Sequence, residues 1–236
     1  MPVDTNQLVV VLSDGWDEVS AELALWERGP SGQWKRLHAG LPAVVGSAGM
    51  AWGLGIFPKN VFGSTLIEPQ KREGDKRAPA GVFRLVSAFG RPQESSFSPH
   101  MPFVCVEEDT EAVDDPKSTH YNRIVNRTAV PECDWSTSEK MSQIGELYHL
   151  GLIVGHNWDQ PVPGAGSCIF LHRWRSNRKG TLGCTAFSPG DLRMLASWLD
   201  SRKKPLLVQM PKCAIPRLGW NFIAEDAGVS KQGGVN

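Results

Sequence analysis

The stretch CIFLHRWRSNRKGTLGCTAF, residues Cys168 to Phe187, decides how this chain reads. It opens on an apolar run, Cys168 to Leu171, that ends at His172. A polar loop, Arg173 to Gly180, then carries Arg173, Arg175, Arg178 and Lys179. Thr181, Leu182 and Gly183 lead into Cys184. Short apolar runs bounded by glycine and charge are strand signals, so a hairpin is expected that returns Cys184 beside His172. Cys184 is then either a buried small hydrophobe, the common fate of a cysteine, or a nucleophile. A thiol with an ordinary pKa of about 8.5 is mostly protonated at pH 7 and needs a base or a positive field. His172 supplies both. Gly183 permits a sharp turn and can aim an N–H at a carbonyl oxygen that gains charge.

On either side of this stretch the pattern alternates between strand and helix. Downstream, Ser188-Pro189-Gly190-Asp191 starts a helix in which Leu192, Leu195, Trp198 and Leu199 share one face. Pro205 to Met210 reads as a strand. Upstream, Tyr148 to Val154 is a strand, and a helix is expected from Ser136. Glu139 would complete its capping box, and Met141, Ile144 and Leu147 would form its apolar stripe. Near the N-terminus a meander is expected, from Leu8 to Leu12, the alternation of Val19, Ala21, Leu23 and Leu25, Trp34 to Leu37, and Ala43 to Val45. Residues 46–81 read as a loop leading into a strand at Val82 to Val86. Gly90 to about Val130 is also loop-rich, and the polar end around Gly233-Gly234 reads as frayed. With no repeat and no linker-like segment, residues 1–236 read as a single domain. The fold class is α+β and mostly β: packed, sandwich-like sheets with a few helices.

Composition narrows the function. Lys plus Arg and Asp plus Glu are 25 each, so no global basic field exists to hold nucleic acid or an anionic membrane. Nine tryptophans and 41% hydrophobic residues indicate a folded globular chain rather than a disordered one. No apolar run is long enough to span a bilayer. The N-terminal MPVDTNQLVVVL has neither a basic region nor a long apolar region, so no signal peptide is read in it. The cysteines, at 105, 133, 168, 184 and 213, are odd in number and form no CxxC. One or two disulfides among 105, 133, 168 and 213 stay open. His156, in VGHNWD, ends an apolar run much as His172 does. A metal site shared by His156, His172 and Cys184 lacks paired ligand spacing, so no metal is expected. His156 and Asn157 instead read as polar lining of a substrate cleft.

In order along the chain, KREGD (71–75), PAGVF (79–83), HYNR (120–123), GSCIFLH (166–172) and TLGC (181–184) resemble the L,D-transpeptidase catalytic domain (YkuD-like) family of bacterial cell-wall enzymes. The likeness is narrower to its branch with a KxEGDxxTPxG motif, and it covers about Val44 to Met210. It implies the family's catalytic fold, with Cys184 as nucleophile and His172 as general base. It further implies that the Arg173 backbone carbonyl orients the imidazole, and that the N–H groups of Gly183 and Cys184 form an oxyanion hole. Tyr121 and Asn122 fall in a family motif and are candidates for contact with the stem peptide, beside Thr181 in the catalytic motif; a plain turn anchored by Asn122 is the other reading. Lys71, Glu73 and Asp75 read as pins of a long loop, and the basic loop as either a steering patch or a solvated tip. Leu182 and Ala186 stand where the commoner pattern has His and Arg or Asn, and Ala78 stands where the branch has Thr.

By resemblance, then, the substrate is a peptidoglycan stem peptide, the tetrapeptide donor reacting with an amine acceptor. The place of action is the cell envelope or periplasm, and no cofactor is needed. A hydrolase that uses the same Cys–His pair, or a binding module that has lost catalysis, are the competing expectations.

Overall fold

The computed structural model describes residues 1–58 and 68–229. The loop expected over 46–81 falls partly on 59–67, and the frayed end wholly on 230–236, outside the described residues.

Strands β1 (Gln7–Ser13), β2 (Ser20–Arg28) and β3 (Trp34–Val44) form the expected meander. β1 is buried along its whole length. It pairs antiparallel with β2 and parallel with β13 (Leu206–Pro211), which explains its continuous apolar run. β2 buries Ala21, Leu23 and Leu25 and exposes Ser20 and Glu22, the alternation of a one-sided strand. The two short pieces expected at 34–37 and 43–45 are one strand. Between the pairs Leu23–Leu41 and Leu25–His38, β3 advances one residue more than β2, and Gly40 takes up the bulge at φ 68°.

β5 (Ala78–Gly90) organises the rest. Its first half pairs with β4 (Met50–Trp52) and β13, and its second half with β6 (Phe103–Cys105) and β10 (Leu150–Val154). β10 continues through β11 (Phe170–Arg173) and β12 (Thr185–Phe187) to β3. Because β10 also pairs with β5, the ten-stranded sheet closes on itself. A second sheet, in the order β8 (Arg123–Asn126), β7 (Thr110–Val113), β9 (Ser138–Lys140), comes from the region read as loop and helix. Helix α1 (Pro189–Trp198) starts as expected. The Ser188 hydroxyl accepts from the Asp191 N–H, Pro189 follows, and Leu192, Leu195 and Ala196 are buried. A short α2 (Asn221–Asp226) ends the described chain.

The helix expected from Ser136 is not there. Ser136 gives its N–H and hydroxyl to Asp115 Oδ2, at 2.8 and 2.6 Å, instead of capping a turn. Ser138–Lys140 pairs with β7, and Met141–Tyr148 is a 3-10 segment broken at Gly145, where φ is 73°. The spacing of Met141, Ile144 and Leu147 is the three-residue repeat of a 3-10 turn.

Two apolar cores result. The larger joins the inner faces of β1, β2, β5, β13 and helix α1. The smaller comprises Phe89, Ala112, Met141, Tyr148, Ile153, Cys168, Phe170 and Cys184, where the small sheet and the 3-10 segment cover the outer face of β10 and β11. Cys184 belongs to this smaller core, and the His172 ring packs against its Tyr148.

Candidate active site

β11 and β12 run parallel, with Leu171 paired to Thr185 and His172 to Ala186. The hairpin read from the sequence is therefore a loop that crosses back before it re-enters the sheet. The crossing is held by the backbone: Thr181 N–H donates to Val45 O at 2.9 Å, and Ser47 N–H to Thr181 O at 2.8 Å. Cys184, just before β12, comes level with Phe170, whose N–H donates to Cys184 Sγ at 3.3 Å. His172 lies two residues further on along the neighbouring strand. On a pleated sheet such residues share a face, with Cβ atoms about 8 Å apart, a span that an imidazole and a thiol bridge. Both line one cavity of about 240 Å³.

His172 is 7% exposed and Cys184 9%. The His172 Nδ1 is 2.7 Å from Arg173 O. A carbonyl only accepts, so Nδ1 carries the hydrogen and Nε2 keeps its lone pair. The edge-to-face ring of Tyr148, 5.6 Å away, braces the imidazole. Desolvation lowers the His172 pKa to about 4, even though the Arg173 carbonyl favours the cation. Burial pushes the Cys184 thiol up to about 12, and Glu139 adds to the rise. The Phe170 N–H and Lys71 oppose it and lose. The resting pair is a neutral thiol beside a neutral imidazole.

Thr181 shapes the turn. Its hydroxyl donates to Cys184 O at 2.6 Å and accepts from the Gly183 N–H at 3.1 Å. Gly183, at φ 151°, adopts a backbone that favours glycine. The expected oxyanion pair is thus altered: the Gly183 N–H is engaged by Thr181, and the Cys184 N–H is the donor that Thr181 leaves. Leu182, where the commoner motif has histidine, is 80% exposed at the cavity edge, and Ala186 is buried.

The other expected residues are placed elsewhere. His156 accepts from Leu54 N–H at Nδ1 (3.1 Å), and its Nε2 lies 3.0 Å from Ala165 O. Asn122 donates to the carbonyls of His156 and Asn157 and accepts from Cys168 N–H. Asn157 bonds Val162 through both its N–H and its C=O, and also Gly166 O. These three buried side chains satisfy the backbone of the 156–168 loop. Tyr121 donates to Glu73 Oε2 at 2.5 Å, and burial and that carboxylate hold its phenol well above the ordinary range. None of the four lines the cavity with Cys184.

KREGD stands behind the Thr181–Cys184 turn. Lys71 pairs with Asp75 at 2.5 Å, and its amine is 3.9 Å from where a Cβ on Gly183 would sit. Asp75 also accepts from the N–H groups of Arg72 and Arg77. From the basic loop, Arg175 and Lys179 reach the cavity, while Arg173 pairs with Glu146 at 2.9 Å.

Two cavity residues escaped the sequence reading: Tyr148 and Glu139, whose carboxylate accepts from the Tyr148 hydroxyl at 2.6 Å. Glu139 had an explanation already as a capping residue, and no local signal contradicted it. A larger cavity, about 450 Å³ beside Trp158 and Lys204, contains no cysteine or histidine. All five cysteines are free thiols, with Cys105, Cys133 and Cys213 exposed. Among the described residues no three His, Cys, Asp or Glu side chains gather for a metal, and no helix is long and apolar enough to cross a membrane.

Comparison with known proteins follows this geometry. Curated proteins give no match. Among solved structures, the chain is similar to the helical cell shape determining protein Pgp2 of Campylobacter jejuni, at 14% identity and a TM-score of 0.36. The alignment covers 87% of this chain and 48% of that one, so this chain spans about half the length of that relative. The family model YkuD, described as the L,D-transpeptidase catalytic domain, matches residues 25–209. With most of its length so matched, the chain belongs to the L,D-transpeptidase catalytic domain family.

Proposed function

We propose that the protein is a cysteine-dependent L,D-transpeptidase acting on peptidoglycan stem peptides in the cell envelope. The observation that carries this reading is the shared cavity of Cys184 and His172, with the imidazole tautomer set by the Arg173 carbonyl. Cys184 Sγ attacks the carbonyl of the third, diamino-acid residue of a tetrapeptide, and its proton passes to His172 Nε2. The C–N bond to the terminal D-Ala breaks, and the same proton goes to the leaving nitrogen. An amine from a second stem then attacks the thioester. Its proton returns through His172 to sulfur, and a 3→3 cross-link forms. Water in place of the amine gives L,D-carboxypeptidase activity by the same route.

A resting pair that is neutral on both members suits this sequence. Proton transfer accompanies attack instead of preceding it, so the Cys184–His172 pair itself carries no buried charge before substrate binds. The Cys184 N–H is the donor available to the oxyanion. Arg175 and Lys179 at the cavity supply attraction for substrate carboxylates. Neither metal nor organic cofactor is needed for this chemistry.

The test is release of D-Ala from purified tetrapeptide muropeptides, with products resolved in the presence and absence of an amine acceptor. Wild type is expected to release D-Ala, and Cys184→Ala and His172→Ala to lose at least about 1,000-fold, as for other nucleophile and base deletions. Equal release by wild type and Cys184→Ala removes the assignment.

A further inference from the structure

Glu139 is an acid with no assigned task. β9 turns alternate side chains to opposite faces. Lys140 therefore pairs with Glu111 on β7, while Glu139 faces the Cys184 cavity. Its only side-chain partner is the Tyr148 hydroxyl, and among the described residues no cation pairs with it. Burial raises its pKa to about 7, and the nearby carboxyls of Asp114 and Glu73 add to the rise. Of the acids around this region, Asp75 has Lys71 and Glu111 has Lys140, while Glu73 is held by the hydroxyls of Tyr121 and Ser167. A desolvated carboxyl in an open cavity lacks only a positive ligand. Asp114 and Glu73 do not line the cavity, so the site offers one carboxylate, too few oxygens for a hard metal ion. Ile144 and Leu147 line the same cavity as Glu139 and suit methylenes.

We infer that Glu139, with Ile144 and Leu147, forms the subsite for the side-chain ammonium of the residue whose carbonyl Cys184 attacks. The subsite deepens the acyl-transfer reading and rests on it. An alkyl chain lies along the two apolar side chains, and its ammonium meets the Glu139 carboxylate. Arg175 and Lys179, from the 173–180 loop, line the same cavity, where they favour a carboxylate and repel a second ammonium. The cavity therefore selects an amine-bearing side chain with fixed polarity. The titratable and charged groups around Glu139 are Tyr148 on the 3-10 segment, His172 on β11, Cys184 just before β12, Arg175 and Lys179 of the 173–180 loop, and the nearby carboxyls of Asp114 and Glu73. None of these cations pairs with Glu139 among the described residues, so the ligand ammonium supplies its counter-charge.

The experiment compares two synthetic tetrapeptides that differ at one atom group: a third residue ending in ammonium, and its isostere ending in methyl. In wild type at pH 8, kcat/KM for D-Ala release is expected to favour the ammonium peptide by about 10- to 100-fold, the usual worth of a charge-assisted bond. In Glu139→Gln the preference should vanish. At pH 6, where free Glu139 is largely protonated, it should shrink in wild type. Binding of both peptides to Cys184→Ala, read by calorimetry in buffers of different ionisation heat, isolates the subsite from turnover. The ammonium peptide should bind more tightly and release a proton. An unchanged preference in Glu139→Gln, or equal binding of the two peptides to Cys184→Ala, overturns the subsite. Preferential binding without any D-Ala release in wild type sinks the acyl-transfer reading and leaves the subsite standing.

Discussion

Iodoacetamide applied to the native protein tests the protonation state from which the proposed chemistry starts. The reagent attacks thiolates, so labelling follows the thiolate fraction and access. With its thiol pushed up to about 12, Cys184 is about one part in 10,000 thiolate at pH 8. An ordinary thiol of pKa about 8.5 is about one quarter ionised there. Cys184 should therefore react about 2,000-fold more slowly than an ordinary exposed thiol, before its 9% exposure slows it further. Cys168, buried and held well above the ordinary thiol range by desolvation, should be as inert. Intact mass should rise by three carbamidomethyl groups, and peptide mapping should place them on Cys105, Cys133 and Cys213, the exposed thiols. The opposing picture is a thiolate–imidazolium pair in the resting protein. It makes Cys184 react fastest of the five, at a rate nearly constant between pH 5 and 8. That outcome refutes both the neutral pair and the claim that burial dominates the site.

Two further substitutions probe the turn and the acid. Thr181→Val removes a hydroxyl that bonds both Cys184 O and Gly183 N–H, so about 2 kcal/mol of stability should be lost, with D-Ala release reduced at least about tenfold; denaturant melting at wild-type midpoint contradicts this. Glu139→Gln should stabilise the protein at pH 8 and not at pH 4. The folded pKa of Glu139 is raised, so its favourable contribution is complete below the unfolded value and is lost as pH climbs through about 7. The gap from 4.5 to about 7 corresponds to about 3 kcal/mol, a shift of several degrees in Tm. A melting temperature of the variant that is lower at both pH values speaks against a strained carboxyl.

Legibility in the sequence followed the range of the interaction. β1, β2 and α1 were readable because their signals are local: a continuous apolar run, an alternation, and Ser188-Pro189 ahead of a helical face. His172 and Cys184 were readable as a pair because each ends or begins an apolar run at a glycine-bearing turn. The parallel course of β11 and β12 was not, since it depends on Thr181 and Ser47 meeting Val45 and the crossing loop. Closure of the large sheet through β5 was hidden for the same reason, four partner strands arriving from distant segments. Met141, Ile144 and Leu147 misled because spacing by three serves a 3-10 turn as well as a helix. His156, Asn122 and Asn157 were polar residues near the motif. A sequence does not say whether such a group meets a ligand or an orphaned backbone amide, and here they meet amides and carbonyls of the 156–168 loop and of Leu54.

The placement of Cys184, the proposed nucleophile, gives the neighbouring motif residues that take no part in the proposed chemistry a structural task. Cys184 belongs to a small core that would keep any cysteine inert. What distinguishes it is that one side of that core is a cavity wall, and that the backbone beside it is forced into a form that bare packing would not choose. Gly183 at φ 151° is fixed from below by Thr181 and from behind by the loop that the Lys71–Asp75 pair ties down. Lys71 is buried and matched by Asp75, so its charge is mostly cancelled where the thiol sits. The thiol stays neutral until a substrate carbonyl arrives. Glu139 works in the same direction from the other side, raising the thiol while its own charge lacks a partner. An ammonium arriving with the substrate cancels that negative field and removes one of the two influences that keep sulfur protonated. On the proposed reading, binding of an ammonium side chain and activation of Cys184 are one electrostatic event, felt at the thiol only when the residue to be attacked is already in place.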